Sequence, residues 1–246
     1  MESKIKNNMK IIAFDTTTKL LSLGFYDGSR LAEFCLEAGK LHSSLLSETI
    51  KRALNALDWD ISDVDYFACG IGPGSFTGVR IGLACVKGLA WSLHKPVVGI
   101  PSLDILAQNA DKDGIITAAL DAKRNLVYCC LYKRKDNTLK RISDYMLLSV
   151  EDFIKKIPAR SVIVGDAVHL YKKELLLSAK RLIITDKDYW RLWPRNMISL
   201  CLDKIKRGQV TDAFTVTPIY LYTQECQIRE RKSQRHQVTR HQNKKT

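Results

Sequence analysis

The sequence predicts an α/β protein made of two similar lobes, each a mixed sheet flanked by helices. Three observations lead there. One order of patterns occurs twice: an apolar run ending in an aspartate, hairpin strands, a helix, a strand and a helix, with Asp15 and Asp121 in matching places. Each copy takes about 100 residues, the size of a domain. In each copy antiparallel strands come first and strands with crossover helices follow, which gives a mixed sheet. With 46% hydrophobic and 26% charged residues, the 246-residue chain has material for a core, which excludes wholesale disorder.

The first copy opens with the apolar run 10–14 before Asp15, read as a buried strand. Leu21, Leu23 and Phe25 alternate with Ser22 and Gly24, a half-buried strand. Asp27-Gly28 is a hairpin signal, and a second hairpin strand follows around 31–36. Leu41, Leu45, Ile50, Ala53, Leu54 and Leu57 fall on one helical stripe, with Ser43 or Ser44 as the expected N-cap. A strand over 65–71, a long helix over 75–93, a strand over 96–100 and a helix opening at Ser102-Leu103 complete the copy. In the second copy, 115–120 is the apolar run before Asp121, and 126–132 and 139–148 are strands about the Asp136-Asn137 turn. Then come a helix near 150–157, a strand at 162–164, a turn at Gly165-Asp166, a helix over 171–179 and a strand at 182–184. Pro194 opens a last helix to about residue 207.

Lys and Arg number 39 against 26 Asp and Glu, a net charge of +13, and such an excess favours a polyanionic partner. The excess is concentrated at the end: Arg229, Arg231, Lys232, Arg235, Arg240, Lys244 and Lys245 face one acid, Glu230. With so few apolar residues this tail is either a solvated end or a nucleic-acid arm. The 7 cysteines are scattered without a Cys-x-x-Cys, and the 5 histidines form no metal-type pair, so reduced thiols and no metal are expected. No stretch reaches the roughly 18 apolar residues of a membrane span, and the start lacks the apolar run of a secretory signal.

The glycine-rich turn from Gly70 to Gly82 is the most distinctive segment. It leaves a strand and opens a helix, a place where backbone N–H groups can bind anions. It matches neither the dinucleotide fingerprint nor a Walker A loop, and Pro73 occupies the first position of a nucleophile elbow at Ser75. Gly78 and Gly82 lie four apart on one helical side that Cys85, Val86 and Leu89 continue. Each glycine costs about 1 kcal/mol against alanine, so something must approach closely: a neighbour inside the lobe, or another chain.

The run Ile12-Ala13-Phe14-Asp15-Thr16-Thr17-Thr18, then His42-Ser43, then the segment from Gly72 to Gly82, closely resembles the TsaB (YeaZ) family. Lys87-Gly88-Leu89-Ala90, Pro96, Ser102-Leu103, Asp121-Ala122 and Val127-Tyr128 fit as well. The resemblance is specific over 9–109 and looser to Tyr222; it is absent from residues 1–8 and from the basic tail, 224–246. It implies the actin/Hsp70/sugar-kinase (ASKHA) fold of two ribonuclease-H-like lobes, at 9–109 and 110–223. It also implies a cytoplasmic, non-catalytic subunit for threonylcarbamoylation of the tRNA adenosine beside the anticodon. The expected partners are the catalytic subunit TsaD, the pathway protein TsaE, tRNA through the complex and a second copy when isolated, but no membrane. On this resemblance the first two helices form the partner surface, through His42, Leu45, Leu46, Thr49, Gly74, Ser75, Gly78, Gly82, Cys85 and Val86. No cofactor or metal is expected. Active members of the superfamily carry Asp-x-Gly in both phosphate turns, whereas this chain has Asp15-Thr16-Thr17 and Asp121-Ala122-Lys123, so Asp15 and Asp121 are vestigial. An aspartate opening a hairpin is also an ordinary turn residue. A kinase or nucleotide hydrolase of the same fold is the alternative, and a metallopeptidase lacks a ligand set. Arg229, Arg231, Lys232, Arg235 and Arg240 are the expected tRNA contacts.

Overall fold

A computed structural model describes residues 8–39 and 41–222. The N-terminal extension expected at 1–8 falls outside these apart from Asn8, and all of 224–246 falls outside them. The first sheet has the order β3-β2-β1-β4-β5, from β1 (Ile11–Asp15), β2 (Leu20–Tyr26), β3 (Leu31–Glu37), β4 (Tyr66–Gly70) and β5 (Val97–Ile100). β1, β2 and β3 pair antiparallel, while β4 and β5 add in parallel. The crossovers are α1 (His42–Leu57) and α2 (Phe76–Leu93), and α3 (Ser102–Ala107) leads onward.

The second sheet repeats the plan. β6 (Gly114–Lys123) and β7 (Leu126–Lys135) pair antiparallel, and β7 carries both β8 (Thr138–Arg141) and β9 (Met146–Ser149). β10 (Val162–Val164) and β11 (Ile183–Ile184) extend β6 in parallel. The duplicated mixed-sheet architecture is therefore real. The expected strand 139–148 is split into β8 and β9, while the expected helix 171–179 is α6 (Lys172–Leu177), preceded by a short helix that the sequence did not suggest, α5 (Ala167–Leu170). α4 (Val150–Lys156) precedes β10, with Ser149 as its cap.

β1 is buried along its whole length, which suits an apolar central strand covered on both faces. Ile12, Phe14, Leu23, Phe25 and Phe67 pack with α1 and α2 on one face. Each such side chain contributes about 1.5–3 kcal/mol by leaving water. Ile11, Ala13, Ala68 and Val98 face the other way and share a core with Ile116, Ala118, Leu120 and Tyr132 of the second sheet.

The helix α7 (Pro194–Lys206) follows the second sheet in sequence but packs against the first. Its Met197, Ile198, Cys201 and Ile205 enter that shared core, and the helix packs across β1, β2 and β5. A side chain at Gly24 of β2 would meet Pro194 at 2.9 Å. Beyond it Thr211 bridges to Val97, and Ile219 N–H donates to the Ile71 carbonyl at 2.8 Å. Residues from 194 to 219 thus return to the first lobe, although the sequence order assigns them to the second.

Candidate functional site

The Asp15 turn and the glycine-rich turn are one structure. Asp15 ends β1 and is fully buried. Its Oδ1 accepts from the Thr17 N–H at 2.7 Å and the Thr17 hydroxyl at 2.8 Å; its Oδ2 accepts from Ser102 Oγ at 3.1 Å. Thr17 and Ser102 hydroxyls lie 2.9 Å apart, closing the network. Burial pushes the Asp15 carboxyl above its ordinary value of 3.8, and the bonds from Thr17 and Ser102 oppose that shift.

This turn presses onto α2. Thr16 Oγ1 donates to the Gly78 carbonyl at 2.6 Å, and Ser75 N–H donates to the Thr17 carbonyl at 2.7 Å. A Cβ at Gly78 would sit 2.0 Å from the Thr16 carbonyl oxygen, one at Gly82 would sit 2.6 Å from Thr16 Oγ1, and one at Gly74 would sit 2.6 Å from the Thr17 carbonyl oxygen. The close neighbour that the glycine spacing requires is therefore the chain's own Thr16–Thr17 turn. Ser75 caps α2, its Oγ accepting from Gly78 N–H at 3.2 Å.

The expected partner-surface residues divide accordingly. His42, Leu46, Gly78, Gly82 and Val86 are buried within the first lobe. Leu45, Thr49, Gly74 and Cys85 are half-buried and Ser75 is exposed. Leu41, Ala84, Gly88 and Trp91 are exposed on or beside α1 and α2. A Cβ at Gly88 would meet nothing within 4 Å. Ala84, Gly88 and Trp91 share one outward face of α2. Cys85 lies half under this face, and burial raises its thiol to about 11, so it packs rather than reacts. α1 begins after Leu41 without a side-chain cap, and Ser44 Oγ instead donates to the Leu41 carbonyl at 3.0 Å.

A cleft of about 920 Å³ lies between the lobes, lined by the α2 N-terminus, Thr17–Lys19, His42, the Asp121 turn and residues 219–222. Asp121 lines it, but Lys123 Nζ holds Oδ2 and Lys123 N–H donates to Oδ1 at 2.9 Å. Lys123, Arg124 and Asn125 all have positive φ, folding this turn back on itself. Asp166 takes the Asp121 N–H at 2.8 Å, and burial raises its carboxyl. The fold class implies a nucleotide with a divalent metal here. These residues do not fit one: Asp15 is withdrawn from the cleft with both oxygens engaged, and Asp121 is neutralised by its own turn. Among the described residues no three or more His, Cys, Asp or Glu side chains gather as metal ligands. Tyr222 ties residues 219–222 to the second lobe, its hydroxyl donating to the Ala122 carbonyl at 2.6 Å. The five expected tRNA-contact arginines and lysine, Arg229 to Arg240, lie outside the described residues.

Comparisons with known proteins agree with this fold. A family model described as TsaD, tRNA N6-adenosine threonylcarbamoyltransferase, matches residues 36–175. The tRNA threonylcarbamoyladenosine biosynthesis protein TsaB of Bacillus subtilis is 31% identical over 234 residues, covering 92% of this chain and 100% of its own. The Escherichia coli TsaB is 36% identical over 133 residues, 52% of this chain and 57% of its own. The solved structure of YeaZ from Pseudomonas aeruginosa superposes with a TM-score of 0.74 at 26% identity, over 87% of this chain and 100% of that one. A second structure from that organism, described as similar to the peptidase YEAZ, gives the same values.

Proposed function

The chain belongs to the TsaB family of tRNA threonylcarbamoyladenosine biosynthesis proteins, and from that premise we propose that it serves the pathway as a non-catalytic scaffold. The observation that carries this reading is the withdrawal of Asp15: the carboxylate that an active relative would aim at a metal here holds the Thr17 turn and fastens it to Ser102. The scaffold binds the catalytic subunit TsaD through the outward face of α1 and α2. Leu45, Thr49, Ser75 and Cys85 contribute from the expected set, together with Leu41, Ala84, Gly88 and Trp91. Exposed small residues let a partner helix approach closely, and the flanking apolar side chains supply area.

The protein acts in the cytoplasm, with TsaE and tRNA joining through the complex and a second copy covering the same face when TsaD is absent. No helix among the described residues is long and apolar enough to cross a membrane. The basic tail adds sequence-independent affinity for tRNA through Arg229, Arg231, Lys232, Arg235 and Arg240, and this affinity falls steeply with salt. Removing the chain beyond residue 228 should flatten the salt dependence of tRNA binding by the complex; an unchanged slope would make the tail a solvated end. The ATP-dependent alternative is tested by nucleotide titration of the isolated chain, where saturable magnesium-dependent ATP binding and turnover would overturn the scaffold reading.

A further inference from the structure

The interlobe cleft holds a polar group that neither the fold nor the scaffold role uses. His42, at 4% exposure, lines it. Nδ1 lies 2.9 Å from the Gly39 carbonyl oxygen, which can only accept, so that bond places the proton on Nδ1. Nε2 is then an acceptor lone pair, and it is buried without a hydrogen-bond partner. An unsatisfied buried atom of this kind is costly, and a ligand that meets it recovers the loss.

The first turn of α2 lines the same cleft. Ser75 takes two of its N–H groups, Gly78 through Oγ and Val79 through the carbonyl. Those of Phe76 and Thr77 find no acceptor among the described residues. Two free donors at the start of an 18-residue helix favour an anion, and Lys19 on the cleft wall adds positive charge.

The two needs are opposite in sign. The helix wants an acceptor with negative charge, and Nε2 wants a donor. A carboxylate or sulfate supplies the first alone, and an alcohol only the second. We propose that the cleft binds a hydroxyl-bearing phosphate, held between Nε2 of His42 and the first turn of α2. The hydroxyl is the phosphate's own P–OH or the alcohol of a sugar phosphate. This is not the metal-nucleotide position, because Asp15 takes no part in it. Nε2 is closed to solvent, so a wall side chain moves aside as the ligand enters while Nδ1 keeps its bond to the Gly39 carbonyl.

The test uses the full chain with 15N-labelled histidine and backbone amides, titrated with inorganic phosphate, ribose 5-phosphate and sulfate at constant ionic strength. The expected result is a saturable shift of the His42 Nε2 signal and of the Phe76 and Thr77 amides with one or both phosphates. A response to inorganic phosphate shows that its P–OH suffices; a response to ribose 5-phosphate alone assigns the hydroxyl to the sugar. Sulfate should bind about tenfold more weakly, the worth of one charged hydrogen bond, and His42→Ala should weaken phosphate binding similarly. The proposal is overturned if neither phosphate gives a saturable shift, if sulfate matches both, or if His42→Ala binds as the parent does. The sulfate comparison needs no variant, so it decides the matter even if His42→Ala does not fold.

Discussion

Asp15 uses its whole carboxyl on its own turn and on Ser102. It accepts three hydrogen bonds and touches no open space. Asp15→Ala removes the acceptor for the Thr17 N–H and for two hydroxyls, and we expect a loss of about 1–3 kcal/mol. In a protein of this size that lowers Tm by several degrees. Asp15→Asn keeps the Oδ1 acceptor, and Ser102 can turn to accept from the new amide. It should retain the fold and the partner. Because the folded carboxyl is raised above 3.8 by burial, the native state holds a proton that the unfolded chain has released. Stability contributed by this group therefore falls as pH rises from 3.8 through the folded value. The Tm of Asp15→Asn relative to the parent should rise across that window and level off above it; a flat difference would contradict the assigned burial cost.

At the scale of elements, α2 separates two kinds of glycine. Gly82→Ala drives a Cβ to within 2.6 Å of Thr16 Oγ1, and overpacking of this kind costs about 1–3 kcal/mol. Gly88→Ala meets nothing and should stabilise the isolated chain by about 1 kcal/mol. Thermal melts of the two variants check both signs. The i, i+4 spacing of Gly78 and Gly82 revealed that something approaches one face of the helix. It did not reveal what, because spacing fixes a face and leaves the tertiary neighbour open. Here the neighbour is Thr16, sixty-two residues before Gly78 in sequence. The proposed partner face has a fainter signal: Ala84, Gly88 and Trp91 look like ordinary helix positions until the first sheet takes the opposite side. Ala84→Arg should abolish TsaD binding with little change in Tm, since Ala84 is exposed.

Over the whole molecule, the duplication was legible because each copy restates the same order of apolar runs, turns and helices around Asp15 and Asp121. The place of α7 was not. The apolar stripe of α7 states that one face is buried, yet it says nothing about which sheet receives it. Met197, Ile198 and Cys201 close the core beneath β1 and β2, so the first lobe is incomplete without a helix that comes after the second. A fragment ending at residue 112 should therefore lack a cooperative melt, and a cooperative transition near that of the full chain would contradict this packing. The same closure fixes β1 and its Asp15 turn against α2, and through them the orientation of the outward face.

The central claim is that this protein supports the modification by binding and performs none of the chemistry. It is tested most directly by measuring threonylcarbamoyladenosine formed on tRNA in the complete pathway mixture, with TsaD and this chain supplied separately or together. The account predicts no product from either alone, product from the pair, product retained with Asp15→Asn, and product lost with Ala84→Arg in step with lost TsaD binding. Modified tRNA formed by this chain without TsaD, or full activity from an Ala84→Arg variant that no longer binds TsaD, would contradict it.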